Sequence, residues 1–80
     1  MSITVLLFAS YADAFGTRTL SVDLGDGATV ADLLADVSRR PGGRVLPERP
    51  LVAVNQRYAQ PGTRLSIGDE VALIPPVAGG

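Results

Sequence analysis

The end of the chain is the part of the sequence best suited to do chemistry. It combines two stiff prolines with residues that become smaller towards the terminus: Ile74, Pro75, Pro76, Val77, Ala78, Gly79 and Gly80. If residues 77–80 extend, they reach about 13 Å from the domain that precedes them, far enough to enter the cleft of a partner. Because glycine has no Cβ, the backbone of the last two residues can approach catalytic groups in a narrow channel. We therefore predict a reactive tail formed by Val77, Ala78, Gly79 and Gly80.

The chemical group that this tail offers is the carboxylate of Gly80. A carboxylate is a poor acyl electrophile, but adenylation converts it into a mixed anhydride. A sulfur nucleophile can attack that anhydride and leave a thiocarboxylate on Gly80. The rest of the chain offers little else, because it contains no cysteine, histidine or lysine. Thiolate metal sites, cysteine nucleophiles, histidine bases and Schiff bases are thereby excluded. No cluster of carboxylates resembles a calcium-binding loop, so we predict no metal site.

Composition and charge indicate one small globular domain. Hydrophobic residues make up 46% of the chain and charged residues 19%, which favours a packed core over disorder. The net charge of -1 gives no electrostatic footprint for nucleic acid or for an anionic membrane. The apolar run at residues 5–9 is too short for the core of a signal peptide, and no run approaches a membrane span. We expect a soluble cytoplasmic protein with neither nucleic acid nor membrane as a partner.

Alternating hydrophobicity predicts the strands that hold the tail. The opening strand has apolar side chains on both faces, with Ile3, Val5 and Leu7 on one and Leu6 and Phe8 on the other. By the same parity, Leu73 of the last strand joins the first set and Ile74 the second. The predicted strands span residues 3–9, 18–24, 51–55, 58–59 and 71–74, with residues 11–16 as a hairpin connection.

One amphipathic helix is predicted between the second and third strands. Val30, Leu33, Leu34 and Val37 form an i, i+3, i+4, i+7 stripe, and Thr29 is placed to cap its first turn. Asp32, three residues after the cap, is an aspartate version of the capping-box residue. The helix is expected to end at the Pro41-Gly42-Gly43 turn.

The order of these elements predicts an α+β fold of the β-grasp, or ubiquitin-like, type. It comprises a mixed sheet of four to five strands with one main helix packed on one face. Residues 1–76 form the predicted domain, and residues 77–80 form a flexible Gly-Gly tail. The glycine-rich turns at residues 25–27 and 41–43 fit no phosphate-binding motif, so the chain is not expected to bind ATP by itself.

Four segments of the sequence resemble a known family. They are residues 5–9 (VLLFA), residues 30–37 in the helix, residues 51–56 (LVAVNQ) and residues 68–80 (GDEVALIPPVAGG), the last being the most specific. With these segments the chain resembles the ubiquitin-like sulfur carriers, in the MoaD-like branch that includes the small subunit of molybdopterin synthase. The resemblance covers nearly all of the sequence.

The resemblance implies a carrier role that depends on other proteins. An E1-like adenylating enzyme would use ATP to activate Gly80, and a sulfur-donor system would convert it into the thiocarboxylate. The sulfur would then pass to a pterin precursor in the large catalytic subunit of molybdopterin synthase, during molybdenum cofactor biosynthesis. The carrier itself would bind no cofactor and supply no catalytic side chain.

A partner-binding patch is predicted on the sheet face opposite the helix. Strand parity places Leu6, Phe8 and Ile74 there, and the resemblance places Tyr58 nearby. The predicted patch comprises Leu6, Phe8, Tyr58, Ile74, Pro75 and Pro76. Coverage of these side chains by neighbouring loops is the competing interpretation.

Three other functions remain open at this point. A related sulfur carrier for thiamin or amino-acid biosynthesis would keep the tail chemistry and change only the recipient. A ubiquitin-like protein tag would join Gly80 to a target amine in an isopeptide bond. A plain interaction module would tolerate deletion of the tail.

Overall fold

The computed structural model describes residues 1–76, and residues 77–80 lie outside the described part of the chain. The elements follow one another in this order: β1 Ser2–Leu7, α1 Ala9–Phe15, β2 Thr19–Asp23, α2 Val30–Ser38, a 3-10 helix Gly43–Val45, β3 Leu51–Val54, β4 Arg57–Tyr58 and β5 Glu70–Ile74. The predicted strands and main helix are present, with ends that differ by one or two residues. The proposed boundary between a domain and a tail at residue 76 stays a prediction.

The five strands form one mixed sheet in the order β2-β1-β5-β3-β4. The neighbouring strands β1 and β5 run parallel, and every other neighbouring pair is antiparallel. Helix α2 packs against one face, where its buried side chains join those of the central strands. This arrangement confirms the predicted α+β fold, with five strands in the sheet.

Strand parity decides which face of the sheet is buried. Ile3, Val5 and Leu7 are at most 2% exposed, and so are Val71 and Leu73 of the neighbouring strand. These side chains meet the apolar stripe of α2 and form the core. The predicted parity is confirmed, so the second set of apolar residues points away from the helix.

Helix α2 begins with the predicted capping box. The backbone N–H of Asp32 donates to Thr29 Oγ1 at 3.4 Å, and the N–H of Thr29 donates to Asp32 Oδ2 at 2.9 Å. The first turn of a helix has no helical acceptors for its N–H groups, and these two hydrogen bonds satisfy two of them. Val30, Leu33 and Val37 of the helix are buried.

The connection between the first two strands is helical, so the prediction of a plain hairpin connection at residues 11–16 is wrong. The chain leaves β1 at Phe8 and turns at Ala9, whose φ of 48° is left-handed. Helix α1 then buries Tyr11 in the core, with Phe15 packed one turn later. The helix ends at Gly16, which has a φ of 73° and donates its N–H to Ala12 O at 2.9 Å. Burial of this aromatic pair explains why the segment coils instead of crossing the surface as a loop.

A two-residue turn places the short β4 beside β3. Asn55 and Gln56 both have positive φ, as a type I′ hairpin turn requires. The Asn55 side chain donates to Asp69 Oδ1 at 2.9 Å and accepts from the N–H of Glu70 at 3.0 Å. These contacts tie the hairpin to the turn that precedes β5, and they fix the position of Tyr58 on β4.

Replacement of Tyr11 by phenylalanine is expected to stabilise the protein. Tyr11 is 1% exposed, and its hydroxyl has no hydrogen-bond partner among residues 1–76. An unpaired buried hydroxyl is costly, so Tyr11→Phe should raise the free energy of unfolding by about 1 kcal/mol at pH 8. Urea unfolding followed by circular dichroism measures the change, with Tyr58→Phe on the exposed Tyr58 as the matched control.

The same variant should change the alkaline limit of stability. Burial raises the pKa of the Tyr11 hydroxyl above its ordinary value of 10.0. The cost of ionising the buried hydroxyl is therefore absent below pH 10, and it lowers the free energy of unfolding as the pH rises from 10 towards the higher pKa of the folded state. Tyr11→Phe should lose less stability above pH 10 than the wild type. An equal loss in both proteins would contradict this assignment.

Candidate partner-docking site

Strand register assembles a row of apolar residues on the outer face, which is the sheet face opposite α2. Leu6 of β1 lies opposite Ala72 of β5, Ala72 lies opposite Ala53 of β3, and Ala53 lies opposite Tyr58 of β4. Residues that lie opposite one another share a face, and neighbouring strands are about 4.8 Å apart. The row therefore crosses four strands, over about 14 Å.

A second apolar group lies next to this row, towards the end of β5. Ile74 pairs with Leu51 of β3, and Phe8 follows the Leu7 and Leu73 pair, which brings it beside Ile74. Phe8 and Leu51 are each 48% exposed, and Tyr58 is 73% exposed. We define the docking patch as Leu6, Phe8, Leu51, Ala53, Tyr58, Ala72 and Ile74. Ala53 is only 7% exposed and forms the floor of the patch.

The structure brings the predicted patch residues onto one surface. Phe8 and Tyr58 are exposed, and Leu6 and Ile74 are half-buried. Pro75 and Pro76 continue from the end of β5 at its margin. The binding role of these six residues stays a prediction.

Sequence reasoning missed three members of the docking patch: Leu51, Ala53 and Ala72. All four residues of β3 are apolar, so their pattern does not reveal which two face the helix. The pairing of Leu51 with Ile74 shows that Leu51 and Ala53 face away from the helix, because Ile74 lies on the outer face. Ala72 could have been assigned to the outer face from the sequence, because it lies two residues before Ile74 in the same strand.

The far end of the outer face is polar. Thr4 of β1 lies between Ser21 of β2 and Glu70 of β5, and the hydroxyls of Ser2 and Ser21 lie 3.0 Å apart. Water solvates this end, so a desolvated contact is favoured only at the apolar end. The docking patch is therefore confined to the half of the face that lies nearest the end of β5.

The chain leaves the domain at the margin of the docking patch. After Ile74, the two prolines lack the N–H groups that would continue the ladder with β1 and β3. The predicted reactive residues, Val77, Ala78, Gly79 and Gly80, lie outside the described residues. Their starting point at Pro76 is fixed beside the apolar surface.

A surface cavity of 690 Å³ adjoins the docking patch and shares Leu51 and Tyr58 with it. Its charged side chains, Glu48 and Arg49, are exposed to solvent. The cavity thus extends the docking surface around the edge of the sheet towards α2.

The described residues were compared with two further kinds of site, a metal cluster and a membrane-spanning helix. Among residues 1–76, no group of three or more acidic, histidine or cysteine side chains could hold a metal ion. Within the same range, no helix has the length and apolar character needed to cross a membrane.

Comparison with known proteins places the chain among small proteins of matching length. A family model described as the ThiS family matches residues 5–80. The molybdopterin synthase sulfur carrier subunit of Chlamydomonas reinhardtii is 40% identical over 83 residues, in a match that covers 100% of both chains.

Two solved structures have the same fold as the chain. The crystal structure of small archaeal modifier protein 1 from Haloferax volcanii has a TM-score of 0.83 and 35% identity, with coverage of 95% of this chain and 98% of that one. A chain in the complex of subunits 1 and 2 of molybdopterin-converting factor from Helicobacter pylori has a TM-score of 0.75 and 22% identity, with full coverage of both chains. At that identity the second likeness establishes the fold alone.

Proposed function

The chain belongs to the ThiS family, and from this premise we propose that it is the sulfur carrier of molybdopterin synthase, acting in molybdenum cofactor biosynthesis. The name of its full-length algal relative supports this pathway. The proposed carrier role also agrees with the sulfur-carrier family that the sequence resembles. The chain acts as a carrier and supplies no catalytic side chain of its own.

The proposed chemistry takes place at Gly80. The carboxylate attacks the α-phosphorus of ATP on an E1-like enzyme, which forms the acyl adenylate and releases pyrophosphate. A sulfur nucleophile from a donor system then forms the C–S bond as AMP leaves. In the synthase, the thiocarboxylate gives its sulfur to a pterin precursor, and water supplies the oxygen that restores the carboxylate.

The position of the docking patch beside the start of the tail supports this proposal most directly. A partner that covers Phe8, Leu51 and Ile74 must also lie next to Pro76, where residues 77–80 begin. Burial of apolar surface provides binding energy remote from the reaction, and the fixed exit point directs Gly80 towards the partner's active site. In this proposal, docking of the partner and delivery of Gly80 are coupled.

We infer that the principal partner is the large catalytic subunit of molybdopterin synthase. The algal relative is named as the sulfur carrier subunit of that enzyme, and a carrier subunit implies another subunit that receives the sulfur. The E1-like adenylating enzyme and the sulfur donor are partners required by the chemistry. All of these encounters are proposed to occur in the cytoplasm.

Intact-mass spectrometry after co-expression with the cognate adenylating and sulfur-donating enzymes tests the proposal. We expect one terminal oxygen to be replaced by sulfur, and we expect an unchanged mass when the adenylating enzyme is omitted. An unmodified mass, under conditions in which another family member acquires the thiocarboxylate, would contradict the sulfur-carrier assignment. An isopeptide adduct on a target lysine, without thiocarboxylate, would instead identify a protein modifier, the name borne by the archaeal relative.

A further inference from the structure

The outer edge of β2 carries backbone groups that no strand within residues 1–76 pairs with. Leu7 N donates to Arg18 O and Leu24 N donates to Met1 O, both at 2.8 Å. In an antiparallel pair, residues alternate between bonding the neighbouring strand and facing away from it. Arg18, Leu20, Val22 and Leu24 therefore bond to β1. The N–H and C=O groups of Thr19, Ser21 and Asp23 point to the open side of the sheet.

Side chains from outside the sheet occupy part of this edge. Thr17 Oγ1 accepts from the N–H of Thr19 at 3.4 Å and donates to Thr19 O at 3.1 Å. Arg40, which follows α2, donates from a terminal guanidinium nitrogen to Ser21 O at 2.9 Å. Its Nε donates to Asp36 Oδ1, also at 2.9 Å. Asp36 thereby holds the guanidinium where a neighbouring strand would otherwise lie.

We propose that the outer edge of β2 is a surface for pairing with a second copy of this chain, and that Arg40 keeps it closed. An exposed strand edge is a template for strand addition, and natural proteins block such edges with charged side chains. Arg40 is such a charged side chain: it lies at this edge and donates a hydrogen bond to Ser21 O. The proposal does not depend on the sulfur-carrier function.

The sequence of β2 is suited to pairing with itself. In an antiparallel pair with Ser21 opposite Ser21, the N–H of each serine faces the C=O of the other. Thr19 then lies opposite Asp23, so no like charges oppose each other. Ser21 O is the acceptor that Arg40 occupies, so the central bonds of this pair form only when the guanidinium is removed.

The opposite edge of the sheet offers much less for strand addition. Strand β4 has only two residues, Arg57 and Tyr58, and Pro61 follows shortly after it. A short edge strand with a nearby proline gives few groups to pair with. The edge of β2, with five residues, is therefore where self-association is expected to start.

Sedimentation analysis of Arg40→Ala tests the proposal. The wild type is expected to remain a monomer of 8.3 kDa over a wide range of concentrations. Arg40→Ala should instead move towards twice that mass as the concentration rises. Arg39→Ala is the matched control, because the neighbouring Arg39 is exposed and makes no side-chain hydrogen bond to residues 1–76.

Two further variants distinguish edge pairing from a loss of folding. Arg40→Met keeps the aliphatic stem and removes only the donors, and it should associate as Arg40→Ala does. Adding Ser21→Pro to Arg40→Ala should restore the monomer, because proline removes an N–H that β1 does not use. Circular dichroism verifies that each variant is folded. The proposal would be overturned if both Arg40 variants were folded monomers. It would also be overturned if association persisted after Ser21→Pro, or if the wild type were a dimer.

Discussion

Valine at Gly79 or Gly80 should abolish sulfur transfer and leave thermal stability nearly unchanged. A terminal residue contributes few packing contacts, and surface substitutions usually change stability by less than about 0.5 kcal/mol. In the partner's channel, valine adds a branched side chain and restricts the backbone, so the reacting carbonyl cannot approach closely. Deletion of Gly80 withdraws that carbonyl by about 3.3 Å, although a misplacement of about 1 Å already costs roughly a hundredfold in rate. Single-turnover sulfur transfer, measured beside a thermal melt, gives both quantities.

Gly25→Val is the matched control for these tail variants. An added Cβ at Gly25 meets no atom within 4 Å, and the residue does not have a positive φ. It lies at the turn before α2, so its replacement should leave transfer at the wild-type rate. Wild-type transfer by the Gly79→Val, Gly80→Val or truncated chain would show that the tail is passive.

Aspartate at Phe8 or Leu51 should weaken binding of the large synthase subunit by roughly 30-fold or more, which is about 2 kcal/mol. Both side chains are half-exposed in the free chain, so the fold should tolerate the charge. In the complex, the same charge would have to be buried against an apolar surface without a partner. Calorimetric titration with the purified large subunit measures the loss, and circular dichroism confirms that each variant is folded.

Ile67→Asp is the control for the patch variants. Ile67 is the most exposed large apolar residue of the described chain, at 82%, and it lies in the turn that precedes β5, at the opposite end of that strand from Ile74. It introduces the same charge on the same kind of residue, away from the docking patch. Equal binding by Phe8→Asp, Leu51→Asp and Ile67→Asp would exclude the docking patch as the interface. Unfolding of Phe8→Asp alone would indicate that Phe8 contributes to packing in the free chain.

Local patterns in the sequence were sufficient for the regular parts of the fold. The stripe of Val30, Leu33 and Val37 identified α2, and Thr29 with Asp32 identified its capping box. Alternation along β1 separated buried residues from those on the outer face. These features depend on neighbours within a few positions along the chain, so the sequence displays them directly.

Helix α1 was missed because it is short and its stability depends on tertiary contacts. A seven-residue helix is marginal in isolation. Burial of Tyr11 against the core stabilises it, and that burial is known only once the sheet has formed. The spacing of Tyr11 and Phe15, with Gly16 after them, was the available signal.

The sequence alone predicts the Gly80 carboxylate as the reactive group, because a chain without cysteine, histidine or lysine offers few other reactive side chains. It also assigned Leu6, Phe8 and Ile74 to one face, since side chains alternate along a strand. Only the tertiary structure added Leu51 and Ala53 to that surface, because register between distant strands is set by hydrogen bonding across the sheet. That register also places the apolar half of the outer face beside Pro76. Pairing between strands far apart in sequence cannot be read from either strand alone.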